Sequence, residues 1–421
     1  MTVKDNNDIG EGYSRVLGAF TRHEDQINEV FFPNEQRVER GEITPTFLKG
    51  YGGPSSEFYR LRYTFQRGDG EEAEHNLMAR IYRKVPSTYK GKLRPWTIGS
   101  NQYNALRKAG VPEVPKVYLP NGTQGILFLE WINGQTLQER LQGLSEKEVV
   151  EKVTGLFKNI SLLQVRTTKY VNRIGKNKRG RLFVGRPIEE KAREYFSRTG
   201  RGKADDNLVR AYRLIEKGLR GERVVHGDLS PTNMLVDETG EVYFIDPELE
   251  EKSGLVDVGS LLAYLGMWFD LREHWDSLAL RFKHADLAAI VTDEGASASV
   301  SVKSEGVKRG DRKRAQELID KNAVTSFTIH RDTERDVLFR LYAALFHKTF
   351  KILAKNQKTN LYPKECEKRL EEQADAVLER WVSNPEKFGL DGEDVDAVKL
   401  IMTGYKPIHI HEDYSNGNSH E

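Results

Sequence analysis

Three polar side chains within residues 224–260 have the types and spacing to carry out chemistry on a hydroxyl group. Asp228 is a carboxylate that can accept a proton, while Asn233 and Asp246 supply an amide oxygen and a second carboxylate. Oxygen ligands of this kind suit Mg²⁺, which completes its octahedral coordination with water and phosphate oxygens. The residue types therefore predict a general base beside a magnesium site.

Short apolar strands must position these side chains. A β-branched pair at 224–225 precedes the turn-rich segment that holds the first two polar groups, and apolar runs at 234–236 and 242–245 follow it. Residues 237–240 between these runs are typical of a hairpin turn. This order predicts that the three polar groups gather at one end of a small sheet. The alternative is an acidic turn in which Asp and Asn act only as turn formers.

The spacing of His226, Asp228 and Asn233, with Asp246 after a hydrophobic strand, is the arrangement of base and metal ligands in protein kinases. The segments HGDLSPTNML and FIDPELE resemble more closely the aminoglycoside phosphotransferase and choline kinase family, the small-molecule branch of the kinase-like fold. The resemblance implies a two-lobed, protein-kinase-like α+β fold. It assigns Asp228 as catalytic base, Asn233 and Asp246 as Mg²⁺ ligands, and His226 as a structural support of the loop.

This loop departs from protein kinases at two positions. Gly227 stands where they usually carry the arginine that reads a phosphorylated activation loop, so control by that route is not expected. Ser230 replaces the usual lysine, and a neutral hydroxyl cannot supply the same charge to the transferring phosphoryl group. Glu248 resembles a glutamate of choline-kinase-like enzymes and is a candidate metal ligand or substrate contact. Alternatively, Glu248 is a solvated acid.

A turn rich in glycine and serine between two predicted strands is suited to covering nucleotide phosphates. Glycines let backbone N–H groups approach an anion. The segment GGPSSEFYRL also resembles the first hairpin of the same family. The residues assigned to the nucleotide by this resemblance are Gly52, Gly53, Ser55 and Ser56. The alternative is a plain hairpin turn.

The next strand, LMARIYRK, carries the cation expected to bind the α- and β-phosphates. By resemblance to choline kinases this cation is Arg80, with Arg83 and Lys84 as further candidates and an exposed strand cation as the alternative. The family normally places a glutamate on the following helix to pair with the cation, and this chain has Gln102 there. Because a neutral amide provides no ion pair, a binding-only pseudokinase stays an open interpretation.

Two further segments resemble parts of the same family. ILFLEWINGQTL resembles the hinge between the lobes, where the backbone of Glu130 and Trp131 would bind the adenine edge, although Trp131 is equally consistent with a core residue. Asp257, on a predicted buried helix, resembles the structural aspartate that holds the catalytic loop in shape.

Two other segments bear on the acceptor. Residues 166–186 contain eight basic and no acidic side chains and are predicted to form a flexible loop. This loop is solvated, supplies the cation missing at Ser230, or receives an anionic substrate. Residues 268–276 mix aromatic and acidic side chains, which fits either a cationic substrate or ordinary amphipathic packing.

The composition narrows the class of protein. The chain has 421 residues, with 65 basic against 63 acidic side chains and a net charge of +2. The net charge is therefore too small to favour nucleic acid or a membrane surface as a partner. Its single cysteine, Cys366, excludes an internal disulfide and a multi-cysteine metal site. No apolar run approaches the roughly 18 residues of a membrane span, and the first residues have no apolar signal-peptide core, so we expect a cytoplasmic protein.

The patterns together predict an N-terminal extension at 1–40, a β-rich N-lobe at 41–130, a mainly helical C-lobe with a helical C-terminal substrate region at 131–405, and a disordered tail at 406–421. The predicted function is ATP-dependent transfer of the γ-phosphate to a hydroxyl of a small molecule, with Mg²⁺ and with GTP not excluded as donor. The alternatives are an atypical serine/threonine protein kinase and a nucleotide-binding pseudokinase.

Overall fold

The computed structural model describes residues 6–33, 37–48, 56–67, 69–82, 95–119, 125–174, 182–183, 188–198, 206–294 and 333–405. Contacts between residues divide the chain into two compact units. The first unit comprises residues 1–144, 158–184 and 222–251, and the second comprises 145–157, 185–221 and 252–421.

An antiparallel sheet of five strands, in the order β1-β2-β3-β5-β4, forms the centre of the first unit. The strands are β1 (Arg37–Phe47), β2 (Ser56–Arg67), β3 (Glu72–Tyr82), β4 (Val117–Tyr118) and β5 (Ile126–Glu130). In β2 the side chains of Leu61 and Tyr63 are buried, whereas those of Arg60 and Arg62 are exposed. This period of two gives the sheet one apolar face and one polar face.

The apolar face of the sheet is covered by helix α1 (Asn6–Phe31). Side chains from the helix and the sheet form one hydrophobic cluster, whose aromatic members are Phe20, Phe31, Tyr59, Tyr63, Phe65 and Phe128. The Tyr63 hydroxyl donates to the Glu24 carboxylate of the helix at 2.9 Å. The sequence predicts only an N-terminal extension at 1–40. The structure instead has two helical segments that meet at a kink at His23, and their buried apolar residues continue as far as Phe31.

The remaining elements of the first unit surround the predicted catalytic loop. They are α2 (Pro95–Lys108), β6 (Gly134–Thr136), α3 (Leu137–Leu141), β7 (Arg223–Val225), a 3₁₀ turn (Pro231–Asn233), β8 (Met234–Asp237) and β9 (Val242–Phe244). Strands β6, β8 and β9 form an antiparallel sheet. The Gly240 N–H donates to the Asp237 carbonyl at 3.1 Å, with a φ of +90° at the glycine. The predicted hairpin turn between β8 and β9 is thus confirmed.

Strand β10 (Glu250–Lys252) follows β9 in the chain. The second unit is helical. Its helices are α5 (Ile188–Arg198), α6 (Asp206–Ala211), α7 (Arg213–Leu219), α8 (Leu255–Leu265), α9 (Trp275–Glu294), α10 (Glu334–Thr359), α11 (Lys364–Ser383), α12 (Pro385–Phe388) and α13 (Gly392–Tyr405). Helices α8 and α10 approach each other closely at Gly259. A Cβ atom added at this glycine would lie only 2.6 Å from the Cβ of Ala344. The prediction of an α+β chain with a β-rich N-terminal part and a helical C-terminal part is confirmed.

One predicted loop is wrong in part. Helix α4 (Glu146–Arg173) continues past Gln164, so the basic residues Arg166 and Lys169 lie on a helix rather than in a flexible loop. The reason is that buried Val171 extends the apolar face of the helix by two further turns. Residues 175–181 and 184–187 of that segment, residues 295–332 and the predicted tail at 406–421 lie outside the described residues.

None of the helices in the described ranges has the length and apolar character needed to cross a membrane.

Candidate active site

Hydrogen bonds join Asp228 and Asn233 inside one tight loop between β7 and β8. The Asn233 side-chain amide donates to the main-chain oxygen of Asp228 at 2.8 Å and to its carboxylate Oδ2 at 3.4 Å. The Asn233 N–H donates to the Ser230 carbonyl at 2.9 Å, which closes the 3₁₀ turn that Pro231 begins. Because the amide nitrogen of Asn233 is engaged with Asp228, its side-chain oxygen is the atom suited to a cation.

Asp246 follows β9 in a left-handed backbone conformation, with a φ of +56°. Aspartate tolerates this region better than most residues. The Asp246 N–H donates to the hydroxyl of Tyr103 at 2.7 Å. The N–H of the preceding residue, Ile245, donates to the carbonyl of Asn233 at 2.9 Å. The two predicted metal ligands therefore belong to backbone segments that are hydrogen-bonded to each other.

Arg80 on β3 forms a two-pronged ion pair with the Asp246 carboxylate, through Nη1 to Oδ1 and through Nη2 to Oδ2 at 3.3 Å. Its guanidinium lies over the rings of Phe58 and Tyr82, 5.3 and 4.7 Å from their centroids. Burial lowers the pKa of Arg80, but the charge of Asp246 more than offsets this and raises the pKa above its ordinary value. Arg80 therefore stays charged, in contact with the predicted metal ligand.

The backbone after Asp246 is fixed to the loop that contains His226. The ring Nε2 of His226, which is fully buried, lies 3.0 Å from the Ile245 carbonyl, and the Glu248 N–H donates to the His226 carbonyl at 2.8 Å. Between them, Gly227 has a φ of +84°, and a Cβ atom at Gly227 would overlap the Glu248 carbonyl oxygen. The glycine is therefore required by the close approach of two chain segments. The Glu248 side chain is exposed.

Helix α2 places two neighbouring side chains differently from the sequence prediction. Gln102, which is buried, donates its side-chain amide to the carbonyl of Leu182 at 2.9 Å. The adjacent Tyr103 reaches Asp246, a contact that the sequence analysis did not anticipate. Burial, together with the Asp246 charge, raises the pKa of Tyr103 well above its ordinary value, so its hydroxyl remains neutral. The only sequence signal was an aromatic residue on the apolar side of the helix, which gives no hint of a polar contact.

The predicted hinge lies at the end of β5. Glu130 exchanges two hydrogen bonds with the backbone of Lys116, each 3.0 Å long. Trp131 is half-buried, and the guanidinium of Arg60 lies 4.9 Å from the centroid of its indole ring. The Arg60 Nε is held in turn by the Asn76 side-chain oxygen at 2.9 Å. Trp131 is therefore a surface platform stacked with an arginine rather than a fully buried core residue.

The other predicted site residues lie in separate parts of the chain. Ser56 is the first residue of β2, is buried, and pairs with Tyr82 across the sheet. Asp257 lies on α8 in the second unit and is fully buried. The predicted phosphate-loop residues Gly52, Gly53 and Ser55 lie outside the described residues, as do Arg83 and Lys84.

A sequence model of the phosphotransferase enzyme family (APH) matches residues 63–296, which is more than half of the 421-residue chain. The chain belongs to this family. The match covers Arg80, the predicted catalytic loop and Asp246, and it confirms the resemblance inferred from HGDLSPTNML and FIDPELE. No curated protein sequence is similar enough to match the chain.

Several solved structures resemble this phosphotransferase distantly. Choline kinase from Cryptosporidium parvum Iowa II is 11% identical with a TM-score of 0.45, covering 80% of this chain and 90% of that one. A choline kinase from Streptococcus pneumoniae is 13% identical with a TM-score of 0.41, covering 85% and 99%. A macrolide 2′-phosphotransferase from Brachybacterium faecium is 10% identical with a TM-score of 0.37, covering 86% and 97%.

The donor set of this phosphotransferase is chemically suited to magnesium. Asn233 and Asp246 offer an amide oxygen and a carboxylate on linked segments, which is the oxygen-only chemistry that Mg²⁺ prefers. Within the ranges that the structure describes, no three His, Cys, Asp or Glu side chains gather into a metal site. An ion held by Asn233 and Asp246 would therefore take its other ligands from water or phosphate. It would also compete with Arg80 for the Asp246 carboxylate.

Proposed function

We propose that this phosphotransferase transfers the γ-phosphoryl group of ATP, with GTP as a possible alternative donor, to a hydroxyl group of a small molecule. The observation that carries the proposal is a continuous set of contacts. Arg80 is paired with Asp246, the residue before Asp246 is hydrogen-bonded to Asn233, and Asn233 is hydrogen-bonded to Asp228. A cation, two oxygen donors for a metal and a base thus occur in one unit of the chain.

Asp228 acts on the acceptor. Its carboxylate accepts a hydrogen bond from Asn233, which orients it and leaves it able to take a proton from the acceptor hydroxyl. The acceptor oxygen forms a bond to the γ-phosphorus as the bond from that phosphorus to the β–γ bridging oxygen breaks. The nucleoside diphosphate leaves with that oxygen, and the acceptor proton passes to Asp228. Because phosphoryl transfer depends mainly on positioning and charge neutralisation, this orientation matters as much as basicity.

The negative charge on the transferring group must be balanced by positive charge, which Arg80 supplies and which a cation held by Asn233 and Asp246 would increase. Magnesium, when bound by Asn233 and Asp246, would supply Lewis-acid stabilisation of the phosphate oxygens. Arg80 provides a fixed, planar cation with two nitrogens already aimed at an anion, and the same geometry suits a pair of phosphate oxygens. Arg80 therefore supplies positive charge in a site where Ser230 stands in place of lysine.

The backbone at Gly227 argues against a protein kinase that is controlled by phosphorylation of its activation loop, and it therefore favours a small-molecule acceptor. Its left-handed conformation and its contact with the Glu248 carbonyl are incompatible with the arginine side chain that protein kinases use there. Membership of the APH family supports the same choice, because the resemblance in HGDLSPTNML and FIDPELE is to the small-molecule branch of the kinase-like fold. The identity of the acceptor is left to experiment.

The test is a phosphotransfer screen with Mg²⁺ and either ATP or GTP. Pools of sugars, amino alcohols, nucleosides and aminoglycosides are offered as acceptors, and release of the nucleoside diphosphate is measured. Wild type is compared with Asp228→Asn and with a matched control, Asp237→Asn, which changes a half-buried aspartate of the nearby hairpin but keeps a side-chain oxygen as acceptor. We expect acceptor-dependent turnover that falls by about two orders of magnitude or more in Asp228→Asn and stays near wild type in Asp237→Asn.

Other outcomes would contradict the proposal. Nucleotide-induced thermal stabilisation without turnover on any acceptor, including a protein lysate, would identify a binding protein rather than an enzyme. Labelling of a protein in the lysate, with no small-molecule product, would identify a protein kinase. Equal turnover in Asp228→Asn and wild type would show that Asp228 is not the base.

A further inference from the structure

The hydroxyl of Tyr103 is the only side-chain group of the described residues that the structure shows bound to the backbone N–H of Asp246. We propose that Tyr103 is a positioning residue of this phosphotransferase, which acts by holding the Asp246 backbone and so sets the affinity of the site for its divalent cation. The inference rests on the proposed function, because it assumes that Asp246 is a metal ligand.

The backbone at Asp246 needs external support. A left-handed conformation at a residue other than glycine is unfavourable, and it persists only where surrounding contacts enforce it. Three successive anchors surround it: the Ile245 N–H binds Asn233, the Asp246 N–H binds Tyr103, and the Glu248 N–H binds His226. Residue 247 is proline and has no N–H to offer. Of these anchors, Tyr103 acts on Asp246 itself and comes from a side chain.

The surroundings of Tyr103 make its hydrogen bond important for the backbone conformation of Asp246. The ring is 2% exposed, so water is poorly placed to replace its hydroxyl. The phenol accepts the N–H through a neutral hydroxyl, so the contact adds no charge beside the Asp246 carboxylate. Loss of the hydroxyl would leave a part-buried N–H without its partner and would release the contact that the described part of α2 makes with this peptide.

The contact also explains how α2 is connected to the site when Gln102 replaces glutamate. In the family pattern, a glutamate at that position links the helix directly to the strand cation. Here Gln102 binds the Leu182 carbonyl, and the connection runs from Tyr103 to Asp246 and from Asp246 to Arg80. The helix therefore supports the metal ligand first and the cation second, which makes cation affinity the property most sensitive to Tyr103.

The test measures Mn²⁺ binding to the full chain by electron paramagnetic resonance, with Mn²⁺ as a spectroscopic substitute for Mg²⁺ and with saturating adenylyl imidodiphosphate present. The variant is Tyr103→Phe, which removes only the hydroxyl. The matched control is Tyr212→Phe, which removes the hydroxyl of a fully buried tyrosine that lies 2.9 Å from His347 Nδ1 in the second unit. Urea unfolding is measured for both, so that any loss of stability is compared directly.

We expect the dissociation constant for Mn²⁺ to rise about three- to tenfold in Tyr103→Phe, the effect of losing one hydrogen bond. The control should bind Mn²⁺ as wild type does, whatever its stability. An unchanged dissociation constant in Tyr103→Phe overturns the inference, and so does an equal rise in the control, because the effect would then come from general stability.

Asp246→Asn separates this inference from the proposed function. If Asp246→Asn loses Mn²⁺ binding while Tyr103→Phe retains it fully, the positioning role of Tyr103 is refuted and the proposed metal site stands. If Asp246→Asn binds Mn²⁺ as wild type does, Asp246 is not a metal ligand, and both the metal site and the role of Tyr103 are refuted.

Discussion

The family pattern and the structure predict opposite effects for the substitution Gln102→Glu. The pattern suggests that Gln102→Glu would restore an ion pair with the strand cation and improve the enzyme. In the structure, however, the Gln102 amide donates to the Leu182 carbonyl, and the side chain is 4% exposed. A carboxylate there would face a carbonyl oxygen while carrying a buried negative charge. We therefore expect Gln102→Glu to destabilise the protein.

The magnitude follows from two contributions. Loss of the donor leaves a buried carbonyl without its partner and costs about 1–3 kcal/mol. Burial of the new carboxyl group raises its pKa, by about two units for a site this enclosed, from about 4.3 in the unfolded chain. Since the folded pKa lies above the unfolded one, this second contribution is absent at low pH and grows as pH rises. It amounts to about 1.5 kcal/mol at about pH 5.5 and about 3 kcal/mol at about pH 8.

The assay is urea unfolding at both pH values, with Gln102→Met as the control. Methionine has a similar shape and also lacks the donor, but it cannot ionise. We expect both variants to be less stable than wild type, and the gap between them to widen by about 1 kcal/mol from the lower to the higher pH. A Gln102→Glu variant that is more stable than wild type at high pH, with tighter nucleotide binding, would refute this reasoning, because the carboxylate would then have found a cation such as Arg80.

Three further predictions concern Arg80, His347 and Gly227. Arg80→Lys keeps the charge but loses the second prong to Asp246 and the stacking on Phe58, so nucleotide affinity measured by calorimetry should fall about tenfold; unchanged affinity would exclude Arg80 as a nucleotide ligand. Burial and nearby lysine charges lower the pKa of His347, so the unfolded chain takes up the proton first and stability should fall by up to about 1.4 kcal/mol per pH unit below about pH 6.5. His347→Gln should remove this slope in urea titrations, and an unaltered slope would assign it to other groups. Gly227→Ala should cost about 2 kcal/mol or more in the same assay, because it forces a Cβ against the Glu248 carbonyl, whereas Gly143→Ala meets no neighbouring atom and should cost less despite its similar φ of +79°.

Local sequence patterns were sufficient to predict the strands and the turn that hold the predicted catalytic loop. The hairpin at 237–240 was predictable because a glycine with positive φ and an aspartate that accepts backbone N–H groups are turn signals that act within a few residues. The position of Arg80 on a strand was predictable because apolar residues flank it on both sides. In both cases the deciding interactions lie close together in the sequence.

The contacts of α2 were not predictable, because they join residues far apart in the chain. Tyr103 and Asp246 are separated by 143 positions, and Gln102 and Leu182 by 80. A tyrosine on the apolar side of a helix looks the same in sequence whether or not its hydroxyl has a partner. The helical end of α4 was missed for a different reason. Its basic residues outweighed the apolar periodicity, although buried Val171 continues that periodicity.

Helix α1 has a practical consequence for protein production. From sequence alone, residues 1–40 look like an extension that could be removed to obtain a minimal catalytic fragment. Removing it would uncover a sheet face that carries Tyr59, Tyr63 and Phe65, together with Phe128 of β5. A contiguous aromatic surface of this kind promotes aggregation in water. A protein fragment that begins at the first strand should therefore be insoluble, and fusion tags are better joined ahead of the helix than substituted for it.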